Sequence, residues 1–254
     1  FLVPRVYFTE PLSSIVVLGD ESAGSEQDEK YSRMIEADTI TLTERTTRCF
    51  SSKTRDRILQ ASLILFNERS FQTVTTAMIA KHAEVLEGTL WYHFPSKKDI
   101  LSAHIELLKS LFQEGGEATE TNDPKSLIQG VFRSYDVIWD FRYILRDDFG
   151  ASLKNEPEVL LSTQGINAFL DHWTEGRVRH SNQCGVLMLR PESVEPTAEL
   201  ILLIGRYWLD FSSKKYPHAS QKILRQKGLT HIFNVLEPHL NQKSRNIVLE
   251  LLDQ

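Results

Sequence analysis

Hydrophobic residues recur at helical spacing through most of the chain from residue 54 onward. In the first such stretch Ile58, Ala61 and Leu65 share one face, which is typical of a helix that packs on a core. Thr54 has a side chain suited to an N-cap, and the pattern stops at Ser70. We therefore predict a first helix between these two residues.

Two short helices are predicted next. Thr75 and Thr76 can each cap a helix that covers Ala77–Ala83. A tight break then leads into a helix over Glu87–His93, and Pro95 ends it because proline cannot continue a helix. The pattern thus places two short helices in succession, separated by only a few residues.

A capping box starts a much longer helix. The Ser96 hydroxyl can accept from an early backbone N–H, and the Asp99 carboxylate can reach back to the start of the helix. Leu101, Ile105 and Leu108 then lie on one face. We expect this helix to end at the glycine pair that follows, residues 115–116.

Five further amphipathic helices are predicted beyond that pair. They cover approximately residues 125–140, 142–154, 157–179, 195–213 and 219–237. Segments rich in Asn, Gly and Pro separate them. The fold class is accordingly all-α, with an N-terminal three-helix head followed by a larger helical bundle.

Charge divides the chain into three parts. Residues 1–52 carry five Lys/Arg against nine Asp/Glu, and we predict a flexible acidic arm there, although the apolar run Ile15–Leu18 could pack on the body. Residues 53–100, the head, carry seven Lys/Arg against five Asp/Glu. Residues 101–254, the body, carry seventeen against twenty. Only the head is positive, and nucleic-acid binding depends on local basic charge rather than on the net charge of −5.

The two short helices have the lengths and the tight connection of a helix-turn-helix. In that motif the second helix enters the major groove of DNA. Leu90 and Phe94 would hold this helix to the head. Its outward positions would then be Glu87, Thr89, Trp91, Tyr92 and His93.

These residues resemble the N-terminal domain of TetR/AcrR-type transcriptional regulators. The resemblance rests on the ordered series Thr54–Ala61, Leu65–Phe71, Thr75–Thr76, Ile79–Ala80, Glu87–Phe94 and Lys97–Leu101. It covers about a fifth of the chain, and the remaining helices are similar only in layout. The resemblance implies a homodimer with two heads and a C-terminal bundle, residues 101–254, whose ligand pocket controls the spacing of the heads.

The resemblance also implies roles for single residues of the head. Thr76 would meet phosphate at the start of its helix, Thr89 and Trp91 would meet base edges or backbone, and Tyr92, His93 and Lys97 would contact phosphate. Glu87 could accept from a cytosine amino group or merely repel phosphate. Trp91 could equally be half-buried packing, His93 a surface imidazole, and Lys97 a solvated cation.

Two residues depart from the family pattern. Glu84 stands where members usually carry Gly in the turn, and Leu86 stands where they usually carry a Ser or Thr N-cap. A side chain at the first position strains the backbone, and a missing cap costs ~1 kcal/mol. Both changes affect the expected strength of DNA binding more than the fold.

The body offers candidates for a ligand pocket and a dimer interface. Among its many aromatic residues, Tyr135, Trp139, Trp173 and Tyr207 combine an apolar ring with a polar group, so we choose them as ligand-binding candidates, with plain core packing as the alternative. The apolar faces of the helices near 195–213 and 219–237 would pair with their copies in a dimer, or bury one another within a monomer.

Other classes of function have weak signals. The sequence has no Gly-rich phosphate loop and no nucleophile elbow, and its paired histidines have no obvious third metal ligand, so we predict neither an enzyme, a metal site nor a cofactor. Cys49 and Cys184 are predicted to be reduced thiols of a cytoplasmic protein. No apolar run approaches the ~20 residues of a membrane span. Because the sequence begins with Phe1, we expect a processed, tagged or trimmed chain.

Together these patterns predict a ligand-responsive transcriptional regulator. It would bind duplex operator DNA as a homodimer, act as a repressor, and be released by a small-molecule effector. The alternative is a helical ligand-binding or scaffold dimer that has lost specific DNA binding, which Glu84, Leu86 and the acidic arm keep open.

Overall fold

Helices make up most of the region that the computed structural model describes, which comprises residues 41–117, 122–146, 149 and 157–252. Within these residues there is no β-strand, only an isolated antiparallel bridge between Leu187 and Leu240. No helix among them combines the length and the hydrophobicity needed to cross a membrane. The all-α prediction is confirmed.

The first five helices, which we number in chain order, comprise one that precedes the head, three within the head (residues 53–100) and one that leads from the head into the body. They are α1 (Glu44–Thr47), α2 (Thr54–Glu68), α3 (Thr76–His82), α4 (Glu87–His93) and α5 (Lys97–Glu117). Ile58, Ile79 and Leu90, which come from three different helices, are fully buried. The first long helix begins one residue earlier than the cap predicted at Thr54 suggests, since Lys53 occupies the N-cap position and makes no side-chain cap. The glycine pair that was expected to end the long helix lies inside the last turn of α5.

The body contains the remaining helices of the described region. They are α6 (Pro124–Asp140), α7 (Arg142–Leu145), α8 (Pro157–Gln183), α9 (Val194–Lys215), α10 (Gln221–Leu236) and α11 (Gln242–Leu252), with short 3-10 turns at Pro191–Ser193 and Glu237–His239. Local capping explains two of the starts. The Asp123 carboxylate accepts from the Ser126 N–H at 3.0 Å, and the Ser220 hydroxyl accepts from the Ile223 N–H at 3.3 Å.

Two helix predictions differ from the structure. The helix predicted over 142–154 ends at Leu145, because Arg146 has an extended backbone; residues 147–148 and 150–156 lie outside the described residues. Helix α11 was not predicted at all. The sequence does carry a signal for this helix, because Asn241 is a favoured N-cap residue and apolar residues recur along the helix. In the structure Asn241 accepts from the Ser244 N–H at 2.8 Å.

The last residues of the predicted arm contact the body. Residues 1–40 lie outside the described residues, but residues 41–50, which we call the N-terminal strap, pack on the body. Leu42 and Thr46 are buried, and the Thr43 N–H lies 3.1 Å from both carboxylate oxygens of Asp140. Arg45 also donates to the Leu111 carbonyl oxygen. The boundary predicted at residue 52 stays a prediction.

A buried polar network joins the head to the body. His104 on α5 has its Nε2 atom 3.0 Å from the Leu59 carbonyl oxygen of α2 and its Nδ1 atom 2.7 Å from the Tyr143 hydroxyl of α7. Since a carbonyl oxygen can only accept, Nε2 carries the proton and Nδ1 accepts from the tyrosine. Burial lowers the pKa of His104 to about 4, so the ring is neutral.

A second link uses an asparagine side chain. Asn67, near the end of α2, donates to the Asp140 carbonyl oxygen at 2.6 Å and accepts from the Tyr143 N–H at 3.1 Å. Both of its partners lie at the α6–α7 corner. The head and the body are therefore connected by hydrogen bonds as well as by apolar packing.

Candidate nucleic-acid interface and ligand cavity

The two short helices of the head form a helix-turn-helix with a closed turn. The Thr75 hydroxyl accepts from the Met78 N–H at 3.2 Å and caps α3. At the other end the Val85 N–H donates to the Ala80 carbonyl at 2.9 Å, and the Glu84 N–H donates to the Lys81 carbonyl at 3.2 Å. This pair of bonds is a Schellman motif, which satisfies the last carbonyls of α3 and turns the chain towards α4.

Glu84 occupies the left-handed position of that turn, with a φ of 53°. Glycine suits this position best, because a side chain there costs roughly 1–2 kcal/mol. Arg57 on α2 supports the turn: its guanidinium donates to the carbonyl oxygens of Ala83 and Glu84, and lies 3.6 Å from the Glu84 carboxylate. The departure from the family pattern is thus accommodated by a contact from the neighbouring helix.

Leu86 begins the recognition helix α4 without a side-chain cap. Its side chain is 79% exposed, so it contributes little to the core of the head. The helix is held instead by Leu90 and Phe94, which are both buried, and by the Arg55 guanidinium that lies 4.9 Å from the centre of the Phe94 ring. The inward positions therefore agree with the sequence prediction.

The outward side of α4 carries two aromatic residues. Tyr92 is 83% exposed and Trp91 is 43% exposed. The Tyr92 ring meets the half-buried His93 ring edge-on at 5.3 Å, and Thr89 is also half-buried. Large exposed aromatic groups on so short a helix have little packing to do in the isolated chain, which makes them available to a partner.

Thr76 and Glu87 were predicted as separate contacts, but they bond to each other. The Thr76 hydroxyl donates to a Glu87 carboxylate oxygen at 2.8 Å. This bond joins the starts of α3 and α4 and directs the Glu87 side chain towards α3. The second carboxylate oxygen of Glu87 takes no part in this hydrogen bond and can accept from another group.

Lys97 has a structural role at the start of α5. Its ammonium group donates to the carbonyl oxygens of Phe71 and Val74 at 2.7 and 2.8 Å, and it lies 4.7 Å from the centre of the Phe71 ring. These bonds tie the start of α5 to the loop between α2 and α3. The predicted phosphate contact of Lys97 stays a prediction.

The body contains an apolar cavity of about 80 Å³, which we call the first cavity. Residues of α5, α6, α8, α9 and α10 line it. Of the four predicted ligand-binding residues, Tyr135 and Trp173 line this cavity, whereas Trp139 and Tyr207 do not. Sequence reasoning missed Phe112 of α5 as a lining residue, because its position in the apolar stripe of a long helix looks like ordinary core.

The two other candidates have different surroundings. Trp139 is buried, and the guanidinium of Arg142 lies 5.4 Å from the centre of its ring. Tyr207 is 61% exposed and its ring stacks on Phe211 at 5.7 Å. Tyr207 shares its exposed side of α9 with Leu200 and Leu203, so this is an outer apolar surface.

Tyr135 is wedged between α9 and α10. Its hydroxyl is buried and has no hydrogen-bond partner, and burial raises the pKa of this phenol. A Cβ atom at Gly228 of α10 would lie 1.8 Å from the hydroxyl oxygen, whereas a Cβ atom at Gly205 of α9 would lie 3.8 Å from the ring. The ring can therefore occupy this position only because residue 228 is glycine.

The described residues contain no group of three or more His, Cys, Asp and Glu side chains that could hold a metal ion. The described part of the structure instead provides a helix-turn-helix head joined to a helical bundle that encloses an apolar cavity. These features are typical of helix-turn-helix transcriptional regulators.

Comparisons with known proteins give the family. Residues 58–104 match the family described as "Bacterial regulatory proteins, tetR family", and residues 106–248 match the one described as "Bacterial transcriptional repressor". The two matches together span most of the chain. The chain belongs to the TetR family of DNA-binding transcriptional regulators, a family of regulators and not of enzymes.

Individual relatives agree with this assignment. The HTH-type transcriptional regulator AcrR of Shigella flexneri is 31% identical over 90 residues, which are 34% of this chain and 42% of that protein. The chain therefore spans less than half the length of this curated relative.

Solved structures share the fold. A TetR-family regulator from Marinobacter aquaeolei VT8 has a TM-score of 0.64 at 24% identity, over 79% of this chain and 98% of that one. The SmeT–triclosan complex has a TM-score of 0.52 at 18% identity, over 75% and 93%.

Proposed function

We propose that this chain is a repressor that binds operator DNA as a homodimer and is released by a small apolar effector. The observation that carries the DNA-binding part is the exposed outward side of α4, with Tyr92 83% and Trp91 43% exposed. Leu90 and Phe94 anchor the opposite side, so α4 can enter a groove without losing its packing on the head.

The contact assignments follow from the chemistry of each group. Tyr92 and His93 would donate to phosphate oxygens and thus fix the position of the head, while Thr89 and Trp91 would meet base edges or backbone. Glu87 would accept from a cytosine amino group through the carboxylate oxygen that is not bonded to the Thr76 hydroxyl. Lys97 would act mainly by holding the loop at Phe71 and Val74, and would reach phosphate only by exchanging those bonds.

The outer apolar surface supports the homodimer. Leu200, Leu203 and Tyr207 of α9 are exposed, and Ile223 of α10 is exposed as well. Pairing these two helices with their copies would bury the surface in an interface of four helices. A two-fold dimer would then present two recognition helices to two half-sites of an operator.

The first cavity supports control by an effector. Phe112 of α5 forms part of its wall, and the same helix begins at the head with Lys97 and carries His104 at the junction with α2 and α7. An effector that displaces Phe112 would shift α5 and change the spacing of the two heads, which lowers the affinity for DNA. The SmeT structure, whose fold is similar, is a complex with triclosan. We place this activity in the cytoplasm.

A gel-shift assay with the DNA upstream of the chain's own gene tests the proposal. We expect a specific, salt-sensitive shift for the wild type. Tyr92→Ala should weaken binding about equally for all sequences, whereas Thr89→Val should change the preference among sequences. Met188→Ala, which removes an exposed side chain of the body, is the matched control and should bind like the wild type. The absence of any specific shift would favour the helical scaffold that has lost DNA binding.

A further inference from the structure

A second apolar cavity, of about 50 Å³, lies beside the first one. It is enclosed by α6, α8, α10, the segment 186–187 and α11, and Val248 of α11 lines it without lining the first cavity. The cavities share six lining residues, which are Leu127, Val131, Ser181, Leu187, Ile232 and Leu236. These six residues therefore form at least part of the wall between the cavities.

The shared wall consists of five aliphatic side chains and one serine. Rotation of the aliphatic side chains breaks no hydrogen bonds. The outer wall of the second cavity is fixed more firmly. The Met188 N–H donates to the His239 carbonyl at 2.7 Å, and Asn241 donates to the Gly185 carbonyl at 2.6 Å, so the segment before α9 is held against the segment before α11. Space for a ligand is thus more easily gained between the cavities than at the outside.

The sizes of the cavities favour a chain over a ring. An apolar cavity of roughly 150 Å³ takes up benzene. Each cavity here is smaller, at about 80 and about 50 Å³, so any such ligand must widen the site, and a compact ring would have to do so within one cavity. A narrow chain could occupy both at once by passing between the shared side chains.

Hydrogen-bonding groups of α8 and of α6 line the first cavity. Thr174, Arg177 and Ser181 line it and follow each other on one face of α8, at spacings of three and four residues. On α6 the Ser134 hydroxyl also lines the cavity, but it donates to the Gly130 carbonyl at 2.8 Å. The Tyr135 ring of α6 also lines the cavity, and its hydroxyl lies where a Cβ atom of Gly228 would be. Because Thr174 and Ser181 place two hydroxyls on one face of α8, a polar end group of a ligand finds more than one partner along that helix.

We propose that the effector is a molecule with an unbranched apolar chain, which passes from the first cavity into the second, and with one polar end group that lies against α8. This proposal rests on the proposed function only in calling the ligand an effector; the binding itself requires no DNA. Alkanols are suitable probes because they have one hydroxyl and a chain of adjustable length.

Calorimetric titration of the full chain with 1-hexanol, 1-octanol, 1-decanol and cyclooctanol tests the proposal. We expect the affinity to rise about fourfold with each added methylene of the linear alcohols, and 1-octanol to bind more tightly than cyclooctanol. Thr174→Val should lower the affinity for all linear alcohols by a common factor of about five. Equal binding of the linear and cyclic eight-carbon alcohols, or no binding of any alcohol, would overturn the proposal.

Two variants at Val248 change only the second cavity. Val248→Phe should fill it and reduce the affinity for 1-decanol while leaving that for 1-hexanol unchanged. Val248→Ala should enlarge the second cavity and raise the affinity for 1-decanol. A folding defect in Val248→Phe would not raise the affinity of Val248→Ala, so the pair of variants separates a filled cavity from misfolding. Equal shifts for both alcohols in either variant would contradict a chain that reaches this cavity. Specific DNA binding without alkanol binding would refute this proposal alone, whereas alkanol binding without DNA binding would refute the proposed function alone.

Discussion

Replacing Gly228 by alanine should destabilise the protein, whereas the same change at Gly205 should stabilise it. Both glycines lie inside long helices, α10 and α9, where alanine is intrinsically favoured by about 1 kcal/mol. At Gly205 the nearest atom would be a Tyr135 ring carbon at 3.8 Å, which is an ordinary contact. Gly205→Ala should therefore raise the free energy of unfolding by up to about 1 kcal/mol.

At Gly228 the steric clash of the new methyl group outweighs the gain in helix propensity. A Cβ atom there would lie 1.8 Å from the Tyr135 hydroxyl oxygen and 2.7 Å from Trp208 Cδ1, and both side chains are buried. Overpacking of this kind costs about 1–3 kcal/mol, and occasionally more. After the gain in helix propensity, we expect a net loss of about 1–2 kcal/mol.

Urea unfolding of both variants, followed by circular dichroism, measures these changes. The Tyr135→Phe variant tests the cause of the loss, because it removes the hydroxyl with which the new methyl group of Gly228→Ala would clash. Alone it should be close to neutral or stabilising, since this buried hydroxyl has no hydrogen-bond partner. Combined with Gly228→Ala it should recover part of the loss. Equal effects of alanine at the two glycines would refute the wedge that we describe for Tyr135.

Three further predictions concern the head and its junction with the body. His104 has a pKa of about 4 in the folded protein and of about 6.5 in the unfolded chain. The wild type should therefore lose stability as the pH falls from about 6.5 to 4, because the unfolded state binds the extra proton. His104→Gln should lose less stability over this range, and equal pH dependence of the two proteins would contradict the buried neutral ring. Leu86→Ser should supply the missing cap and stabilise the head by about 0.5–1 kcal/mol in thermal unfolding, with Leu86→Ala as a control that gains nothing. Lys97→Met should destabilise the chain by about 1–3 kcal/mol, because two carbonyl oxygens lose their donor. The control Lys81→Met, on the exposed side of α3, should change the stability little. Similar unfolding midpoints of the two variants would argue against the structural role of Lys97.

The sequence predicted the head well because its signals are local. The Thr75 cap, the proline after α4 and the apolar spacing within each helix all act within a few residues, and they predicted the lengths of the short helices. The resemblance to the family further marked Glu84 as unusual, and its positive φ is what a position normally held by glycine requires.

The contacts that the sequence did not reveal are between distant segments. Thr43 and Asp140 are 97 residues apart, and no pattern along the chain links them. The structural role of Lys97 was not predicted, because its carbonyl partners lie more than twenty residues earlier, in a loop whose conformation the sequence leaves open. Aromatic spacing similarly cannot tell which side of α9 faces the cavity, so the sequence did not show that Tyr207 lies on the exposed side of this helix.

The most direct test of the account is the affinity of the wild type for its own upstream DNA, compared with a scrambled fragment of the same length and composition. Fluorescence anisotropy at several salt concentrations should give an affinity for the natural fragment at least about a thousandfold higher, with two protomers bound per site. The logarithm of the affinity should fall linearly with the logarithm of the salt concentration. Equal affinities for the two fragments, or no binding to either, would contradict a repressor that reads DNA through α4.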